Sequence, residues 1–223
     1  MLLLALAALL WVVIHIGIAG TAVRASLVGR LGEAGFRIGY SIASFAAIGL
    51  LVNAWQAADT TPLWFAPTWL RWLLALLLLP AFMLFVASVW GRNPTAVGGG
   101  ELPAEPHGIQ RVTRHPMLWS FAIWAVAHML GNGDSAALLF FGAFAVTALA
   151  GMPSIDAKLA ARHPESWKPF ARRTSILPFG AIAAGRTRLA LGEIHWGVFV
   201  VGFVAWAAFL HLHARFFGVP AVF

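Results

Sequence analysis

The sequence predicts an all-α polytopic membrane protein: six transmembrane helices in a bundle, with an amphipathic helix at the membrane surface. Three observations carry this. Apolar residues make up 61% of the 223 positions. Charged residues make up only 10%, against about 25% in a typical soluble domain. The mean hydropathy is +0.83. A soluble domain with so few polar residues cannot coat its own surface, so water-soluble globular and disordered classes are both excluded. There is no cysteine, which removes disulfides, thiolate metal sites and cysteine nucleophiles.

Six segments are long or apolar enough to propose as spans: Met1 to Thr21, Ile38 to Ala57, Trp69 to Trp90, Pro116 to Leu130, Ser135 to Gly151 and Ile194 to Phe217. None alternates like a strand, and helices satisfy their own backbone in lipid. The first lacks a basic n-region and is too long for a secretory h-region, so it is read as retained. The cations test the count. Arg24, Arg30 and Arg37 follow the first span. Arg92, Arg111 and Arg114 follow the third, and seven more follow the fifth; only Arg71 and Arg215 fall on the other side. This asymmetry puts the basic loops in the cytoplasm and both termini outside. The net charge of +7 is thus topology, and no nucleic-acid partner is expected.

Smaller features follow. Trp64, Trp69, Trp90, Trp119 and Trp196 lie near span ends and read as interfacial anchors. Ser41, Ser44 and Asn53 in the second span read as interhelix hydrogen-bonding groups. The loop Gly91–Arg114, with Gly98-Gly99-Gly100, reads as irregular and lid-like. The stretch Pro153–Arg188 mixes Ile155, Leu159, Trp167 and Phe170 with cations, which predicts a basic helix on the membrane surface. No repeat or domain boundary appears, so residues 1–223 read as one domain.

Eight histidines are unusual in so apolar a chain. His15, His128, His211 and His213 fall inside spans, where ionisable groups carry function by default. At 1.5 Å per residue, His15 lies about 14 Å and His128 about 20 Å from the inner face. Two imidazoles in one middle layer, on different helices, are what a bis-histidine haem needs. His211, about 25 Å in, and His213 are alternative ligands. Arg114 and His115, before Pro116 at a helix start, form an anion-attracting mouth. Haem propionates, a cofactor carboxylate or a lipid phosphate all suit it. Arg24 is a further propionate partner.

The ordered set His15, Arg24, Arg92-Asn93-Pro94-Thr95, Arg111 through Trp119, Trp124 through His128, Gly131-Asn132-Gly133-Asp134 and Gly218-Val219-Pro220 resembles the NnrU family over essentially the whole chain. That resemblance implies a bacterial inner-membrane protein linked to nitrite and nitric oxide metabolism in denitrification; a separate reading makes it an assembly partner of a respiratory complex. Plant zeta-carotene isomerase carries a similar domain, which implies haem b, ligand histidines matching His15 and His128, and redox-dependent cis–trans isomerisation of an apolar polyene. The plant domain has a cysteine where this chain has Ala125. The segment from His115-Pro116 through Asp156, Leu159, Trp167 and Phe170 to Leu177-Pro178 is also distantly similar to isoprenylcysteine methyltransferases. This implies, as alternatives to the redox reading, an S-adenosylmethionine-dependent membrane methyltransferase using Arg114, His115 and Asp156. A third reading is a non-enzymatic haem-delivery partner. Membrane lipid is the expected neighbour throughout.

Overall fold

Apolar runs without alternation give helices, and the computed structural model is all-helical among the residues it describes, 1–91, 93–95 and 102–222. Arg92 and Gly98-Gly99-Gly100 lie outside the described residues. Helix α1 spans Leu2–Val12 and continues into a π-helical turn, Val13–Ile18. Then follow α2 (Ala22–Gln56), α3 (Thr68–Trp90), α4 (Pro116–Asn132), α5 (Ser135–Arg162), α6 (Pro164–Arg173), α7 (Gly180–Ala183) and α8 (Trp196–Phe217). Four helices, α2, α3, α5 and α8, are long and apolar enough to cross a membrane. Leu2–Ile18 and α4 are shorter.

Two helices extend beyond the predicted spans. Helix α2 begins at Ala22 instead of Ile38. Thr21 caps it by accepting the Val23 amide, and the arginines of this stretch are interleaved with Ala25, Leu27, Val28 and Leu31. Gly32, at φ 72 and ψ 165, kinks it. Helix α5 runs through Pro153 to Arg162, so Asp156, expected in a loop, sits on a helix. Pro153 removes one backbone donor, and the helix-forming Ala157, Leu159, Ala160 and Ala161 carry the helix on. Within the stretch expected to form a surface helix lies α6, with Pro164 in its first turn, Phe170 fully buried and Lys168, Arg172 and Arg173 exposed. Phe170 is thus spent on the protein interior, which the amphipathic pattern alone had directed to lipid.

The chain divides into two compact units. The first is Met1–Pro67 with Ala125–Ser154. Here α1 packs along α2, Trp55 of α2 stacks on Phe140 of α5 at 4.6 Å, and Trp11 meets Phe144 at 4.8 Å. The motif Gly131-Asn132-Gly133-Asp134 is the turn from α4 to α5. Gly133 adopts φ 68, and its carbonyl accepts from the amides of Leu63 and Trp64. Asp134 caps α5 by accepting the Ala137 amide and the Thr60 hydroxyl. The Trp64 indole donates to the Leu130 carbonyl, a structural tie beyond its expected anchoring role. Asn53 bonds the Gly49 carbonyl of its own helix, where an interhelix partner was expected.

The second unit is Thr68–Trp124 with the chain from Ile155 onward. Helices α3 and α8 pair closely because glycine removes side chains where they meet. A Cβ at Gly202 would lie 3.0 Å from Met83, and one at Gly197 would lie 2.9 Å from the Trp90 ring. The Trp206 indole donates to the Ala75 carbonyl across this pair at 2.7 Å. Lipid gives helices no hydrophobic reason to associate, so close packing and such bonds hold them.

Gly133→Ala is expected to destabilise the first unit by roughly 1–3 kcal/mol or more. Its φ disfavours a side chain, and its Cβ would meet the Trp64 carbonyl oxygen at a clashing distance. Thermal unfolding in detergent reads this against Gly29→Ala, whose Cβ meets nothing within 4 Å.

Candidate functional site

The entry to α4 is built from the second unit's own backbone. The Arg114 amide donates to the Ser175 carbonyl, and the Phe179 amide to the Val112 carbonyl. The Thr113 hydroxyl donates to the Ile176 carbonyl and accepts the His115 amide. The Trp119 indole donates to the same Ile176 carbonyl, so Trp119 too is a structural donor. These bonds present Arg114 and His115 to Asp156 on α5. Arg114 Nε lies 3.0 Å from both carboxylate oxygens of Asp156, and its terminal nitrogen lies 2.5 Å from Oδ2. His115 Nε2 donates to Oδ1 at 2.8 Å. The guanidinium also lies 5.4 Å from the Trp167 ring centre of α6. The anion that this mouth attracts is therefore the chain's own. A propionate, cofactor carboxylate or lipid phosphate would have to compete with Asp156.

His115 is fully buried, and its second ring nitrogen, Nδ1, has no partner. A second ionic tie lies nearby in sequence. Arg111 grips both oxygens of Glu193 at 2.8 Å, and the Gly108 amide donates to Oε2. The Arg111 guanidinium, helped by that amide, holds the Glu193 carboxyl down to about 2. The sequence groups Arg114 and His115 with Asp156, which the structure brings together; it does not reveal the Arg111–Glu193 tie, because Arg111 reads as topology and Glu193 carries no signal.

The mid-span histidines belong to the first unit. His15 sits in the π-helical turn, a local distortion that recurs at functional sites. Its Nδ1 donates to the Trp11 carbonyl at 2.8 Å, which fixes the tautomer and turns the lone pair onto Nε2. The Trp11 ring lies 3.9 Å from the imidazole, and its indole N–H is buried without a partner. Tyr40 meets the imidazole edge-on at 5.7 Å. Rings then connect Trp11 to Phe144, Phe144 to Phe140, Phe140 to Phe141, and Phe141 to His128 at 4.9 Å. A series of ring contacts thus runs from His15 to His128. Arg24 joins it by way of Tyr40, pairing with Glu33 and lying 5.2 Å from the Phe36 ring, which stacks on Tyr40. His211 and His213 belong to the second unit. His211 lines a cavity of about 370 Å³ with Trp72 and Pro220, and His213 donates to the Val219 carbonyl. Among the described residues, no three His, Cys, Asp or Glu side chains gather as a metal-ligand set.

The sequence matches the family described as NnrU protein over residues 3–221. The chain belongs to the NnrU family. This NnrU chain is 33% identical over 108 residues to the protein of Zea mays named "15-cis-zeta-carotene isomerase, chloroplastic", covering 48% of this chain and 30% of that protein. It is 37% identical over 79 residues to the protein of the same name from Arabidopsis thaliana, covering 35% of this chain and 22% of that one. The matched region is therefore less than a third of either relative. No solved structure matches the NnrU chain.

Two outcomes test the ionic ties. Asp156→Asn removes the carboxylate from a mostly buried Arg114 and should cost about 3–5 kcal/mol in detergent unfolding, with partial recovery when Arg114 is also replaced by Met. Glu193 is paired while ionised, so its contribution is full above its ordinary value of 4.5 and is lost as pH falls towards about 2. Glu193→Gln should flatten the stability–pH curve in that window.

Proposed function

We propose that this NnrU chain is a six-span membrane protein that binds haem b through His15 and His128 and isomerises a cis double bond in an apolar polyene. The observation that carries the reading is His15. It combines a distorted helical turn, a pinned tautomer with Nε2 free for iron, and a neighbouring buried indole N–H awaiting an acceptor. A backbone carbonyl orienting a ligand imidazole is a recurrent second-shell arrangement. His15 has the chemistry of an axial ligand for the group, and His128 is the second ligand this reading assigns. Haem b, when bound, supplies a one-electron couple at its iron.

The chain's own residues do the rest. Trp11 packs against the imidazole, tilted 31° to it, and offers a hydrogen bond to a polar edge of whatever lies beside it. Tyr40, Phe144, Phe140 and Phe141 exclude water and present an apolar lining along which conjugated rings or chains pack well. Arg24 stays on Glu33 at the far end of that lining and balances charge there. Spans of this length let an apolar substrate enter sideways from lipid.

Orientation follows the basic loops, with α1 and α4 completing six crossings of a bacterial inner membrane and both termini outside. The isomerase reading is preferred to service in nitrite or nitric oxide reduction because the curated relatives are isomerases. Methyl transfer is disfavoured because Asp156 already engages Arg114 and His115.

The test is optical first. Protein from haem-replete cells should show a sharp Soret band and the split reduced bands of bis-histidine iron. His15→Ala and His128→Ala should each lose or shift them, and His163→Ala should not. A colourless wild type overturns the haem assignment. Reduced protein should then convert 15-cis-zeta-carotene faster than oxidised protein, read by chromatography. Coloured protein that leaves the polyene unchanged removes the isomerase, and retention on a respiratory complex would then point to haem delivery.

A further inference from the structure

Two buried polar atoms in the second unit lack partners, and their chemistry is complementary. One is His115 Nδ1, on a residue 1% exposed; the other is Asn93 Nδ2, on a residue 6% exposed. The state of each is set by its neighbours. A carboxylate accepts only, so the proton of the His115–Asp156 bond sits on Nε2, and Nδ1 carries a lone pair. The Thr95 amide donates to Asn93 Oδ1 at 3.1 Å, so the Asn93 amino group is the end left over. Thr95 links the two, because its hydroxyl lies 2.9 Å from Asn93 Oδ1 and donates to the carbonyl of Arg114, the residue before His115.

Leaving either buried atom without a hydrogen bond forfeits its hydration with nothing in return, and native folds rarely retain two such losses together. A ligand that meets both must donate to nitrogen and accept from N–H. A carboxylate or phosphate only accepts and is repelled by the lone pair. A cation finds one lone pair, an already paired Asp156 and, on α6, exposed Lys168, Arg172 and Arg173. A hydroxyl does both tasks.

We infer that Asn93 and His115 form a binding site for a neutral hydroxyl group, which donates to His115 Nδ1 and accepts from Asn93 Nδ2. Asp156 is the positioning residue: it orients the imidazole and holds the tautomer that makes Nδ1 an acceptor. Two sources supply this chemistry, an internal water and the polyol head group of a lipid. The site is independent of haem and of the polyene reading.

The experiment is a two-bond ¹H–¹⁵N correlation of the histidine rings in the full-length protein, labelled at histidine and held in nanodiscs. His115→Gln assigns the ring. The expected spectrum has the proton on Nε2 and an Nδ1 resonance displaced towards a hydrogen-bonded acceptor. Asn93→Leu should move Nδ1 back towards a free lone pair, and Asn93→Gln, a gentler change, should move it in the same direction. A displaced Nδ1 in a detergent lacking hydroxyl groups assigns the occupant as water. Displacement that returns only with phosphatidylglycerol nanodiscs, and not with phosphatidylcholine, assigns the head group. A free Nδ1 lone pair in every medium, or a proton on Nδ1, overturns the site.

Discussion

One carboxylate, that of Asp156, organises the start of α4. It takes two bonds from the Arg114 guanidinium and one from His115, with all three side chains largely withdrawn from solvent. A charge so placed is tolerated only when its partners satisfy it well, because its desolvation otherwise costs several kcal/mol. That requirement fixes much around it. Arg114 must stay extended over Trp167, which seats α6. His115 must keep its proton on Nε2. The backbone from Thr113 to His115 must stay pinned to the Ser175–Ile176 carbonyls. Chemistry and architecture are here the same set of bonds.

The first unit uses a different constraint. One of its polar groups is the His15 imidazole, which the fold answers with a carbonyl and packed rings. Neutral imidazole with one committed nitrogen is the least costly ionisable group to place at that depth. A π-helical turn widens the helix around it, a distortion that recurs at functional sites. Aromatic side chains supply bulk and stiffness together, so the lining keeps its shape without polar support.

The two sites therefore divide labour by dielectric. Ion pairs and hydroxyl-type hydrogen bonds sit beside the basic loops, where Arg111–Glu193 and Arg114–Asp156 tie helix ends to connecting segments. In the first unit, His15 and aromatic rings take the corresponding place. His115 stands immediately before α4, and His128 lies in the last part of that helix.

The sequence alone determined the helical class, the places of the apolar runs, the basic loops, the family and the histidines worth attention. All of these rest on composition and on short-range spacing, which a chain displays before it folds. Only the tertiary structure decided that α2 starts at Ala22, that α5 runs on to carry Asp156, that Phe170 packs inward, that Arg24 belongs to Glu33, and that Arg114 has an internal anion. Most of these are meetings of residues far apart in sequence, or helix ends set by caps and neighbours; Arg24 and Glu33, nearer in sequence, meet on a helix kinked at Gly32. No local pattern encodes which carboxylate will reach which guanidinium, because that depends on how helices are brought together and on which charges can no longer reach water.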